Sequence, residues 1–165
     1  MKTLLYKDLC ERLPYTTRVF VIDDKAHMYD TILTTEELGH VMDKKWLVKP
    51  YLRPLSDMTE TEKEEILKKL FGKIADRFRI DENGVIEGNN EEVQDLLTMD
   101  LIWPNFDPKT ITIYTNWLKK NHFDYNGLIK KQKAISVAGE NNPYKQNVTQ
   151  VLRKPVRWTT PRQDN

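Results

Sequence analysis

The spacing of Thr59 and Glu62 constrains the fold more than any other feature of this chain, because it marks where one hydrophobic periodicity gives way to another. A threonine hydroxyl that accepts from the amide three residues on, and a glutamate there that reaches back to the threonine amide, satisfy two orphan donors and start a helix. Downstream, Ile66, Leu67, Leu70, Phe71, Ile74, Ala75 and Phe78 recur three and four apart. Lys63, Glu64, Lys68, Lys69 and Lys73 fall between them, so the pattern predicts an amphipathic helix from Thr59 to about Phe78. Upstream, the stretches 17–24, 27–34 and 45–49 are short and rich in β-branched and aromatic residues. They predict three strands in a small antiparallel meander. Strands first and helices after predict an α+β domain.

Other signals fill in the frame. Leu5, Leu9 and Leu13 stand four apart, which predicts a helix over 3–13 capped by Thr3 and ended by Pro14. Pro50 should stop the third strand or confine it to an edge. With Pro54 it makes 49–55 a stiff connector, docked through Tyr51 and Leu52. Asn83-Gly84 between apolar pairs predicts a hairpin with a type I′ turn. A helix through Val93, Leu96 and Leu97, capped by Asn89 or Asn90, should follow. Asp107-Pro108 opens another helix, to about Asn121, on a face of Ile113, Tyr114, Trp117 and Leu118. From Gly139 apolar periodicity fades, which divides the chain into a compact domain over 1–138 and a loosely structured basic tail over 139–165.

Composition narrows the class. The one cysteine, Cys10, excludes an intramolecular disulfide and favours a reducing compartment, and its leucine neighbours suggest an inert thiol. Lys7, Asp8, Glu11 and Arg12 interrupt any apolar leader, so no signal peptide is expected and the location expected is cytoplasmic. His27, His40 and His122 lack partners at zinc-like spacing, and Asp23, Asp24 and Asp30 lack the glycine and final glutamate of a calcium loop. No metal or cofactor is expected.

One spacing invites chemistry. His122 and Asp124 lie two apart beside Tyr125, and a histidine with a carboxylate can serve as a base and its orienting partner. The plainer account ends a helix at Asn121, sets His122 against the negative helix end, and packs Phe123 and Tyr125 into the core.

Two segments, Lys49-Pro50-Tyr51-Leu52-Arg53-Pro54-Leu55-Ser56-Asp57-Met58-Thr59 and Trp117-Leu118-Lys119-Lys120-Asn121-His122-Phe123-Asp124-Tyr125-Asn126-Gly127-Leu128-Ile129, carry a resemblance. Over roughly residues 8–135 the chain resembles a family of small uncharacterised proteins encoded by gut bacteria, their prophages and their phages. Similar proteins commonly have Arg where this sequence has Asn126. The resemblance implies a phage or prophage context and no particular activity.

Charge is unevenly spread. Lys145, Arg153, Lys154, Arg157 and Arg162 stand against Glu140 and Asp164 in the tail, a surplus of three positive charges within an overall charge of +1. The body is therefore mildly acidic. These features favour a non-enzymatic phage or mobile-element accessory protein that binds a macromolecular partner, a protein foremost. Two alternatives stand beside it: a nucleic-acid-binding protein using Arg153, Lys154, Arg157, Trp158 and Arg162 of the tail, and a small enzyme using His122 and Asp124.

Overall fold

In the computed structural model, residues 2–43, 45–89, 108–138 and 142–144 are described. The chain enters through helix α1 (Lys2–Arg12), a 3-10 turn (Leu13–Tyr15) and strands β1 (Arg18–Ile22) and β2 (Met28–Ile32). Helix α2 (Thr35–Met42) precedes strand β3 (Leu47–Leu52), and a 3-10 turn (Leu55–Asp57) leads into helix α3 (Glu60–Phe71). A further 3-10 segment (Gly72–Arg77) runs into the hairpin of β4 (Phe78–Ile80) and β5 (Ile86–Gly88). Helix α4 (Pro108–Lys120) and the short strand β6 (Ile135–Ser136) complete the described elements. The fold is α+β, with a four-stranded mixed sheet in the order β2-β1-β3-β6 and the separate β4-β5 hairpin. Among the described residues, no helix is long and apolar enough to cross a membrane.

The three antiparallel strands form where expected, but not as a meander. β1 lies between β2 and β3, pairing Phe20 with both Asp30 and Lys49. The inserted element is α2, whose capping box of Thr34 and Glu37 repeats the device of Thr59 and Glu62. A helix between the strands lets the chain cross to the far side of β1, where a tight turn would have set β3 beside β2.

Pro50 does not stop β3, and ladder phase explains why. The Leu33 amide donates to the Thr17 carbonyl at 2.8 Å. In an antiparallel pair, bonded and unbonded positions alternate. Val19 and Val21 therefore exchange bonds with β2, while Phe20 and Ile22 exchange them with β3. Pro50 sits opposite Val19, so its ring nitrogen points away from β1 and no ladder bond is lost.

Three further corrections concern ends and turns. Thr3 lies inside α1 rather than at its cap. α3 ends at Phe71, where Gly72 takes φ +58°, and Phe78 begins β4 instead of closing the helix. The hairpin loop is built by Asp81, whose carboxylate accepts from the Asn83 and Val85 amides at 2.8 and 2.7 Å. Only Gly84 of the expected turn pair has positive φ, so the loop is not type I′. The helix expected through Val93, Leu96 and Leu97 lies outside the described residues.

The core has two larger clusters and a smaller third of Leu52, Leu128 and Ala134. Leu9 of α1 and Leu38 of α2 pack with Val19, Val21 and Val48 on the inner face of the sheet. Ile66 and Leu67 of α3 meet Trp117 and Leu118 of α4, Phe78, Ile80 and Ile86 of the hairpin, and Phe123.

Candidate functional site

The segments 49–59 and 117–129 meet in one structural unit. Immediately after β3, the Arg53 amide donates to the His122 carbonyl at 2.9 Å, and the Asp124 amide donates to the Arg53 carbonyl at 2.8 Å. This parallel bridge sets Arg53 beside Phe123. The Arg53 guanidinium lies 4.2 Å from the Phe123 ring centroid and donates to both Glu62 oxygens at 2.7 and 2.9 Å. It also donates to the Asp57 carboxylate and carbonyl at 3.3 and 3.0 Å. Glu62, still accepting from the Thr59 amide, is held at about 2 despite partial burial, because Arg53 and the capping bonds favour its charged form. One carboxylate thus caps α3 and fixes the joint.

A second arginine reaches the joint from below. Arg12 and Asp8 of α1, both fully buried, pair at 2.7 Å, and Arg12 Nη2 donates to the Phe123 carbonyl at 2.8 Å. Asn126 donates to the other Asp8 oxygen at 2.7 Å, and Tyr125 donates to Glu11 at 2.9 Å. Arg12 Nη1 is buried without a hydrogen-bond partner.

The structure separates the residues proposed for acid–base chemistry. Asp124 accepts from the Leu128 and Ile129 amides, each at 2.7 Å, so both of its oxygens hold the following turn. His122, in the left-handed region at φ +60°, lies with Nδ1 3.4 Å from the Thr17 hydroxyl. Its ring stacks on Tyr144 at 3.6 Å between centroids. Burial first, then the charges of Arg12 and Arg53, push His122 down to about 4. The imidazole is neutral near pH 7, so it does not act as the cation expected at the end of α4. Tyr125 is engaged by Glu11, and Arg12 lies 5.2 Å from its ring centroid.

Tyr144 makes the least expected contact. Ladder phase places Arg18 and Tyr51 as the next bonded pair of β1 and β3. The Arg18 amide instead donates to the Tyr144 hydroxyl at 3.0 Å, and that hydroxyl donates to the Tyr51 carbonyl at 2.9 Å. Asn142 is also buried, and its side chain accepts from the Tyr144 amide. Residues 142 and 144 were expected in a loosely structured tail, yet they pack on the body. No periodicity announces this, because the contact is a single wedge. The Asp8/Arg12 and Arg53/Asp57 ion pairs each join residues four apart in the chain.

Elsewhere, a cleft of about 290 Å³ between α3 and α4 is lined by Glu65, Lys69, Asn116, Trp117, Lys120 and others. Neither His122 nor Asp124 lines it. Among the described residues no cluster could hold a metal ion. Cys10 is half-buried. Arg153, Lys154, Arg157, Trp158 and Arg162 lie outside the described residues.

The outer face of the sheet is a second open feature. Residues opposite one another in an antiparallel pair share a face. Met28, Ile22 and Leu47 therefore form one row, and Asp30, Phe20 and Lys49 the next. Met28, Ile32 and Leu47 are 56%, 43% and 47% exposed, which marks this face as uncovered. Tyr51 spans the sheet to donate to Asp30 at 2.6 Å. Comparison of the chain with protein-family models, curated proteins and solved structures finds no match.

Proposed function

We propose that the chain is a non-enzymatic phage or mobile-element accessory protein that binds a protein partner, with the outer face of β2, β1 and β3 at the centre of the contact. The observation that carries this reading is the uncovered apolar row of Met28, Ile22 and Leu47, with Phe20 set beside it between Asp30 and Lys49. An apolar centre with charged flanks is the usual anatomy of a protein contact. Three strands of five or six residues present about 14 by 17–20 Å, well short of the roughly 800 Å² that a stable interface takes from each partner. The partner must therefore extend past the sheet. The engagement of His122 and Asp124 in structural bonds favours binding over catalysis by that pair.

The test is purification of the native complex from the host, with Phe20→Asp and Leu47→Asp as surface variants. The partner co-purifies with the unaltered chain and is lost from both variants, whose unfolding midpoints stay close to the parent. A chain that emerges from its host reproducibly as a partner-free monomer overturns the reading.

A further inference from the structure

We propose that the partner bound by the outer sheet face, on the reading of that face as a protein contact, is a second copy of this chain, seated face to face about a two-fold axis that runs along β1. Side chains on the face stand in three rows, with one residue from each strand in every row. Met28, Ile22 and Leu47 make the apolar row, and Asp30, Phe20 and Lys49 the middle one. Ile32 and Arg18 continue the register toward Tyr51 in the third. At its centre the face is therefore acidic on β2, apolar on β1 and basic on β3.

A two-fold rotation about β1 exchanges β2 and β3 between the copies. It sets Asp30 of each copy over Lys49 of the other and Phe20 over Phe20, so the middle row closes with two opposite-charge pairs around one aromatic pair. The same operation lays Met28 over Leu47, which are 56% and 47% exposed, and Ile32 over Tyr51. The other axis in the plane of the sheet, across the strands, stacks Asp30 on Asp30 and Lys49 on Lys49, and like charges there oppose association. Both members of the charge pair are available. Asp30 accepts from Tyr51 through Oδ1 and keeps its second oxygen, and Lys49 forms no ion pair among the described residues.

Arg18 alone meets its like, at the end of β1. Aligned sheets cross at about 30°, which carries the ends of the two β1 strands sideways off each other, and the arginine stem can lie along the face with its charge in water. Residues 23–27 and 45–46 extend the contact past the end marked by Met28 and Leu47, since the axis brings the start of β2 over the start of β3. A sheet face of this size gives a weak, concentration-dependent dimer rather than an obligate one. Its charge pattern sets the orientation.

Sedimentation of the full chain at low salt, from about 1 µM to about 1 mM, tests the proposal. The parent passes from monomer to dimer across that range. Lys49→Glu and Asp30→Lys each raise the dissociation constant at least about tenfold, because each sets like charges together at two symmetry-related contacts. An equimolar mixture of the two variants returns to the parent constant as a heterodimer, in which both contacts again join opposite charges. Unfolding midpoints close to the parent report an intact fold, and Lys49→Glu keeps the test decisive if Asp30→Lys loses stability with its Tyr51 bond. A parent that stays monomeric at about 1 mM overturns the proposal, as does a dimer indifferent to the single charge substitutions or a mixture that stays monomeric. A monomeric parent that still loses a host protein on Phe20→Asp overturns the second copy and leaves the face as a contact for another protein. A chain with neither dimer nor host partner removes both readings.

Discussion

Replacing Arg53 by Ala should cost about 3 kcal/mol of stability at pH 7, at the low end of the range for breaking a buried ion pair. The guanidinium is 7% exposed and faces Glu62 and Asp57 side chains that are 23% and 18% exposed, so both carboxylates lose a cation they cannot replace with full hydration. Its position over the Phe123 ring adds a cation–π contribution of about 1 kcal/mol. Glu62 gives the effect a pH signature. Its folded value, about 2, lies below the ordinary 4.5, so its stabilisation is present above pH 4.5 and is lost as pH falls toward 2. Taken at face value that shift corresponds to about 3 kcal/mol, but Glu62 is partly solvated, and screening reduces it to roughly half. Urea unfolding of parent and Arg53→Ala at pH 7 and pH 3 should therefore show a wide gap that narrows on acidification. Arg53→Lys should fall between the two, keeping the charge without the fork that grips both Glu62 oxygens. A variant within 1 kcal/mol of the parent at pH 7, or a gap unchanged at pH 3, would refute the reasoning.

Two further outcomes follow from the contacts around Tyr144. His122 is neutral when folded, with its value lowered to about 4 from 6.5, so its contribution is full above pH 6.5 and is lost as pH falls toward 4. The parent should lose about 3 kcal/mol across that window from this group, and His122→Asn, which tolerates the left-handed backbone, should lack that part of the slope in urea midpoints measured against pH. Tyr144→Phe keeps the stack on His122 but removes the hydroxyl between Arg18 and Tyr51, and calorimetry should record a loss of about 1–2 kcal/mol. An unchanged melting temperature would mean that β1 and β3 close directly once the wedge is gone.

Elements declared by local chemistry were legible in the sequence. The Thr59 and Glu62 box placed the start of α3, and Pro108 placed the start of α4. α2 was missed although Thr34 and Glu37 carry the same box, because the β-rich run before it drew Thr34 into a strand. Strand order was not legible, since pairing partners are chosen by tertiary packing and by the helix between them. Pro50 misled for a related reason: its effect depends on which side of the strand its nitrogen faces, which is a property of register. At the joint, the spacing of His122 and Asp124 was visible, but their separation follows from a left-handed residue and from the two amides that occupy Asp124.

The bond from Arg12 to the Phe123 carbonyl also sets a clock on how the molecule is made. Its donor and acceptor are 111 residues apart, so at a synthesis rate of about 5–20 residues per second Arg12 is on the nascent chain for roughly 5–20 s before its acceptor exists. Through that interval Asp8, one helical turn away, is already present to pair with it. A chain interrupted before Phe123 leaves that arginine without its final acceptor.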